Sequence, residues 1–425
     1  MNRVLAPEFS TISNVDFAQA QTEYLSNKLP LHIINAGSQE LVKIEFNFYA
    51  GTIFQQKPLV ASSANRLLKE GTSKYTAMQI AETMDFYGAF LENENGHDVS
   101  SLTLYALNKH LPNLLPMFHD IIFDAAFPEN EFETYRTNAL QKYYTRQKKV
   151  SEVAAQHFGE MIYGNDNFYG YAVNENDYKN LAIDDIKSFY RERYCLENAT
   201  VIISGKVDTG VKNLMQESFG TTDFKGINEF NAQLINNSIS ENKKYVVIDD
   251  ALQSAIRIGR KTFTKTHQDF LPMLVLNTIL GGYFGSRLMA NIREDKGYTY
   301  GIGSGISAKI LEGHFFISTE VGADVTHLAL TEIYKEIEIL RTQLVADDEL
   351  QLVKNYMMGT FLRSIDGAFA LAQKFSGIYF YDLSYDYYQQ YFKTITEITP
   401  QNIMDLANKY LHEKDLVELV VGKMN

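Results

Sequence analysis

Apolar and polar residues alternate in VKIEFNFYAG (42–51) and SLTLYAL (101–107), which predicts strands with one face turned toward a core. After the second strand, LPNLLPMFHDIIFDAAF reads as an apolar helix, and ENEFETYRTNALQKYY as a further helix with an acidic first turn. The same order returns later as the strand HFFISTEV (314–321), the helix HLALTEIYKEIEILRTQL and the helix DDELQLVKNYMMGTFL. Glu131 and Phe132 then correspond to Glu349 and Leu350, an offset of 218 residues. The ends agree as well: IKSFYRERYCLENATVIISGKVD (186–208) and IMDLANKYLHEKDLVELVVGKMN (403–425) each give a helix and then a strand closing on Gly-Lys. Agreement of order, type and spacing at three places marks an internal repeat.

The predicted fold class is therefore α+β, with two tandem homologous domains, each an antiparallel-rich sheet backed by helices. The domains are placed at 1–226 and 246–425, joined by the Asn- and Ser-rich stretch 227–245. A length of 425 residues also exceeds what one core usually organises. The most apolar stretch, FLPMLVLNTILGGYFG (270–285), is broken by Pro272 and Asn277 and is too short to span a bilayer comfortably; it reads as a buried helix ending at Gly281-Gly282.

Composition narrows the function classes. The net charge of −13 is spread along the chain, which argues against a nucleic-acid partner. The single cysteine, Cys195, forms no internal disulfide and builds no thiolate metal site. MNRVLAPEFSTISNVDFAQ lacks the apolar core of a secretory signal, so a cytoplasmic location away from membranes is expected if Met1 is the native start.

The stretch LVASSANRLLKEGTSKY (59–75) has a small-residue helix start, a Gly71-Thr72 exit, and polar positions at Ser62, Asn65 and Arg66. Taken with FYAGT, IYGNDNFYGY (162–171), SRLMANIREDKGYTYGIGSGI and the SGK and VGK strand ends, the pattern spans nearly the whole chain. It resembles the insulinase/pitrilysin family of inverted-zincin peptidases, in the branch of the mitochondrial processing peptidase. Within that branch it looks like the non-catalytic subunit of a bacterial heterodimeric peptidase. The resemblance implies a fold of the metallopeptidase LuxS-like type.

Active members carry His-x-x-Glu-His on a helix, where the two histidines hold zinc and the glutamate acts as general base; a glutamate further on completes the ligands. Matched to that motif, this chain has Ser62 and Arg66 at the histidines, Asn65 at the base and Lys142 at the downstream glutamate. None of the nine histidines has a partner at i,i+3 or i,i+4. The expectation is no metal in this chain and zinc in a partner subunit. Ser62 and Ser63 have no nearby base and no Gly-x-Ser-x-Gly elbow, so nucleophilic catalysis is not expected of them.

The second-half motif is intact. Family members hold an arginine and, seven residues later, a tyrosine that reach toward the peptide, here Arg293 and Tyr300. By chemistry alone the pair is either a substrate and oxyanion contact or an ordinary salt bridge to Glu294 or Asp295 with a packed strand tyrosine. Where active members pair with substrate through Asn-Ala on an edge strand, GAFLENENGHDV (88–99) has Glu92-Asn93. NTILGGYFGSRL reads as a helix end and turn, and the aromatic run FSGIYFYDLSYDYYQQYF (375–392) as helix ends packed by tyrosines. The resulting expectation is a catalytically deficient subunit that binds peptide and completes the site of a homologous partner carrying His-x-x-Glu-His. The alternative is a non-enzymatic peptide-binding or scaffold protein of the same fold.

Overall fold

The computed structural model describes residues 17–226 and 242–423. The first half supplies strands β1 (Gln21–Tyr24), β2 (Pro30–Asn35), β3 (Leu41–Phe48), β4 (Phe90–Asn95), β5 (Ser100–Leu107) and β6 (Ala199–Gly205). They form one sheet in the order β1-β2-β6-β3-β5-β4. The second half supplies β7 (Lys243–Val247), β8 (Gln253–Thr262), β9 (Thr299–Ala308), β10 (Gly313–Gly322) and β11 (Val417–Gly422), in the order β7-β11-β8-β10-β9. Without β1 the two orders are the same. In each sheet one pair is parallel, β2 with β6 and β7 with β11, and the other pairs are antiparallel. The helices Glu129–Arg146 and Asp347–Arg363 begin 218 residues apart, as the repeat requires.

Most of the stretch read as a linker lies outside the described residues, up to position 241. Its end is strand: β7 starts at Lys243 and pairs with β11, because a short KKYVV segment becomes recognisable as a strand only once its partner is known.

The sheets are not covered as two self-contained domains would cover them. The first-half helix Val150–Tyr163 packs on β8 and β11 of the second sheet, setting Val153, Ala154 and Phe158 against Ala255, Val417, Leu419 and Val421. Its counterpart Ala368–Tyr379 packs on β2 and β6 of the first sheet, with Leu371, Ala372 and Phe375 against Ile34 and Ile202. Each half therefore lends a helix to the other. Full burial of one such apolar side chain contributes about 1.5–3 kcal/mol, so both exchanges are substantial. Gly259 makes one of them possible: a Cβ there would lie 2.9 Å from Phe158 Cζ and would meet the Phe315 carbonyl.

A histidine sits under each lent helix. His32 lies against Phe375 and Tyr379, with ring centroids 4.8 and 4.6 Å away, and its Nδ1 is 2.9 Å from Thr22 Oγ1. His314 Nδ1 lies 2.8 Å from the Tyr163 hydroxyl and its ring faces Phe158. Burial pushes the two imidazoles down to about 4 and about 3. The seam continues through Lys309, whose Nζ donates to Tyr163 at 3.1 Å, and through Asp98, which accepts from the Ile310 amide at 3.0 Å and from the Tyr169 hydroxyl. The stretch 162–171 is thus an inter-half contact. The aromatic run 375–392 also packs the fold: Tyr379 bonds Thr200 at 3.1 Å, and Tyr388 donates to the Lys374 carbonyl at 2.7 Å.

Candidate functional site

The helix Val60–Leu67 follows Leu59, which takes a left-handed conformation, and the Ala61 amide donates to the Gln55 side chain at 3.1 Å in place of a side-chain cap. Val60, Ala61, Ala64 and Leu67 face the core and fix the roll of the helix. That roll turns Ser62, Asn65 and Arg66 toward a cavity of about 590 Å³. The exit uses Gly71 at φ 144°, a conformation L residues rarely adopt, with Pro128 against the glycine face. The helix Glu129–Arg146 brings Tyr135, Lys142 and Arg146 to the same cavity, and the edge strand β4 closes it with Asn93 and Asn95. The four positions matched to metal chemistry, Ser62, Asn65, Arg66 and Lys142, therefore do meet in one place.

The chain itself occupies much of their bonding capacity. Ser62 Oγ donates to the Leu59 carbonyl at 3.1 Å, and Asn65 Nδ2 donates to the Ser101 carbonyl at 3.0 Å, with Asn65 only 2% exposed. The Asn65 carbonyl in turn accepts from Asn93 Nδ2 at 2.6 Å. Neighbouring Ser63 shares a 3.0 Å hydrogen bond with Tyr135, whose phenol is raised above its ordinary pKa by burial. Burial, followed by the charge of Arg66, lowers the ammonium of Lys69 just beyond. This donor set does not fit zinc: a hydroxyl and a carboxamide engaged elsewhere, a guanidinium and an ammonium supply no pair of imidazoles and no carboxylate. Among the described residues no group of three or more His, Cys, Asp or Glu is placed to hold a metal ion.

Arg293 and Tyr300 do not line that cavity. Arg293 lies on the π-helical segment Met289–Asp295, and its guanidinium carbon sits 4.6 Å from the ring centre of Phe284. Its contact with Glu294 is a loose 3.9 Å. Tyr300 is on β9, the outer strand of the second sheet, and is 93% exposed, so it is not the packed strand tyrosine that spacing alone allows. The start of β9 packs against the segment bearing Arg293. Phe284, 62% exposed, comes from the glycine-containing stretch that ends the helix Phe270–Asn277 through a π turn at Thr278–Gly282.

Residues 58–170 match the family Insulinase (Peptidase family M16), and residues 180–357 match the Peptidase M16 inactive domain. This is the M16, or insulinase/pitrilysin, zinc-peptidase fold, inactive domain included. The chain is 23% identical over 367 residues to a Helicobacter pylori protein named a non-peptidase homolog, covering 84% of this chain and 83% of the relative. A Bacillus subtilis protein named an uncharacterized zinc protease is 22% identical over 299 residues, 70% of this chain and 72% of that protein. The structure of a peptidase M16 inactive domain from Pseudomonas fluorescens superposes with a TM-score of 0.84 at 18% identity, covering 96% of this chain and 98% of that one. A protease from Helicobacter pylori superposes at 0.85 with 16% identity, over 96% and 100%. The M16 chain described here resembles the family's catalytically inactive homologues.

Two features of this M16 site escape sequence reasoning. Arg146 joins Lys142 one turn along the same helix, an i,i+4 relation that was readable once Lys142 was placed. Phe284 beneath Arg293 has no comparable signal, because nothing in the spacing links a turn aromatic to a later arginine. No helix among the described residues is long and apolar enough to cross a membrane.

Proposed function

We propose that this chain is the catalytically deficient subunit of a heterodimeric zinc endopeptidase, in which it binds peptide and completes the partner's active site with Arg293 and Tyr300. The partner is a homologous chain carrying His-x-x-Glu-His and the zinc. The observation that carries this reading is the near-complete exposure of the Tyr300 phenol on an edge strand whose base packs against the Arg293 segment. A guanidinium held against an aromatic ring and a phenol open to solvent can both donate to peptide carbonyls or to a developing oxyanion. Edge strand β9 offers backbone groups for an extended peptide beside them.

The test is reconstitution of this chain with its zinc-bearing partner. Peptidase activity should appear only in the mixture and fall by about 10²–10³ in Arg293→Ala or Tyr300→Phe. A second reading, a non-enzymatic peptide-binding or scaffold protein, draws on the internally bonded state of Ser62, Ser63 and Asn65. It predicts a stable complex whose activity is indifferent to both substitutions.

A further inference from the structure

The cavity that takes the place of a metal site carries a charge pattern of its own. Its wall holds Arg66, Lys142 and Arg146 against Glu70 and Glu131, one cation in excess, on a chain whose net charge is −13. Arg66 is 51% exposed and reaches Glu70 only at 3.7 Å, a screened i,i+4 contact rather than a committed pair. Lys142 and Arg146 are exposed, lie one turn apart, and form no salt bridge among the described residues. A guanidinium and two further cations around a partly enclosed space are what a carboxylate needs: charge-assisted donors, with Arg66 able to give two at once. The opposite wall is β4, the outermost strand of its sheet, with Asn93 and Asn95 turned to the cavity. An extended peptide added along such an edge sends alternate side chains to one face, here toward the cations.

We propose that this cavity is a receptor for a carboxylate carried by an extended peptide, its acidic side chain or its C terminus. The same helix frame that presents imidazoles and a base in active M16 peptidases here presents cations, so the place where a peptide bond would be cut becomes a place where an acidic peptide is held. The inference is independent of the roles proposed for Arg293 and Tyr300, and it is tested on the full chain without a partner.

Fluorescence anisotropy is measured with a labelled, end-capped peptide alternating Val and Glu, with its Gln counterpart, and with the Gln peptide bearing a free C-terminal carboxylate. Inorganic phosphate serves as a competing simple anion. The Glu peptide or the free-carboxylate peptide should bind about tenfold or more tightly than the capped Gln peptide, and whichever does so identifies the source of the carboxylate. That preference should vanish in Arg66→Ala and in Lys142→Glu, with circular dichroism and thermal melts showing both variants folded. Equal binding of all three peptides, or a preference kept by both folded variants, overturns the proposal. Phosphate binding that no carboxylate peptide displaces also overturns it, since the site would then serve a small anion. All three failures leave the reconstitution experiment with Arg293 and Tyr300 untouched.

Discussion

The segments around Ser62 and Arg293 treat polar groups in opposite ways. In the first half, Ser62, Ser63 and Asn65 are bonded to the surrounding chain, while the cations at the rim stay open to solvent. In the second half, Arg293 rests on an exposed ring and Tyr300 projects from an edge strand. Polar side chains that a fold absorbs become part of its framework. Those it leaves exposed on a rigid strand remain available to another molecule.

The largest expected effect tests whether the two halves are separate enough for that contrast to arise independently. Phe158→Ala removes a first-half ring from the second sheet and should cost about 3–5 kcal/mol, read by denaturant unfolding. Phe375→Ala should do the same from the other side. Because each ring belongs to one half and packs on the other, a single coincident transition is expected, and two separate ones would refute the mutual dependence. Next comes the contrast in function: in the reconstituted peptidase Tyr300→Phe should cost about 10²–10³ in rate, while Ser62→Ala should change it by no more than about twofold.

A smaller effect is set by pH. In the unfolded chain an imidazole titrates near 6.5, whereas burial holds His32 near 4 and His314 near 3. Below 6.5 the unfolded chain binds protons that the folded chain does not, so stability is full above 6.5 and declines as pH falls toward those values. By about pH 5 each histidine should have cost about 1–2 kcal/mol, seen as a falling Tm that becomes shallower in the double variant His32→Gln, His314→Gln, where His97, also held near 4 by burial, still contributes. The smallest expected effect is none. Ser62→His, Asn65→Glu and Arg66→His together should bring no stoichiometric zinc, measured by mass spectrometry, while Lys142 faces the same cavity.

Much of this was readable in the sequence because it is local. The spacing of Ser62, Asn65 and Arg66 lies within one helix, so their common face follows from 3.6-residue periodicity. The alternation in β3 and β10 likewise reports one buried face, and the 218-residue offset ties the halves together. Periodicity states that the helices Val150–Tyr163 and Ala368–Tyr379 have an apolar side, but not which sheet receives it. The lent helices, the histidines beneath them and the ring under Arg293 were therefore hidden, since each depends on contacts between residues far apart in the chain. The edge positions of β4 and β9 were hidden for the same reason, because strand order is a property of pairing and not of any one strand.

The reciprocal lending of helices also bears on inheritance. A half without the metal-ligand set of active M16 peptidases is ordinarily free to be trimmed away over generations. Here its removal would strip the helix Val150–Tyr163 from the surviving sheet and leave the apolar groups of Ala255, Val417, Leu419 and Val421 facing water. Chemistry can thus be lost from this architecture without the segment that once carried it becoming dispensable. A site without the metal ligands persists because its scaffold is a neighbour's roof.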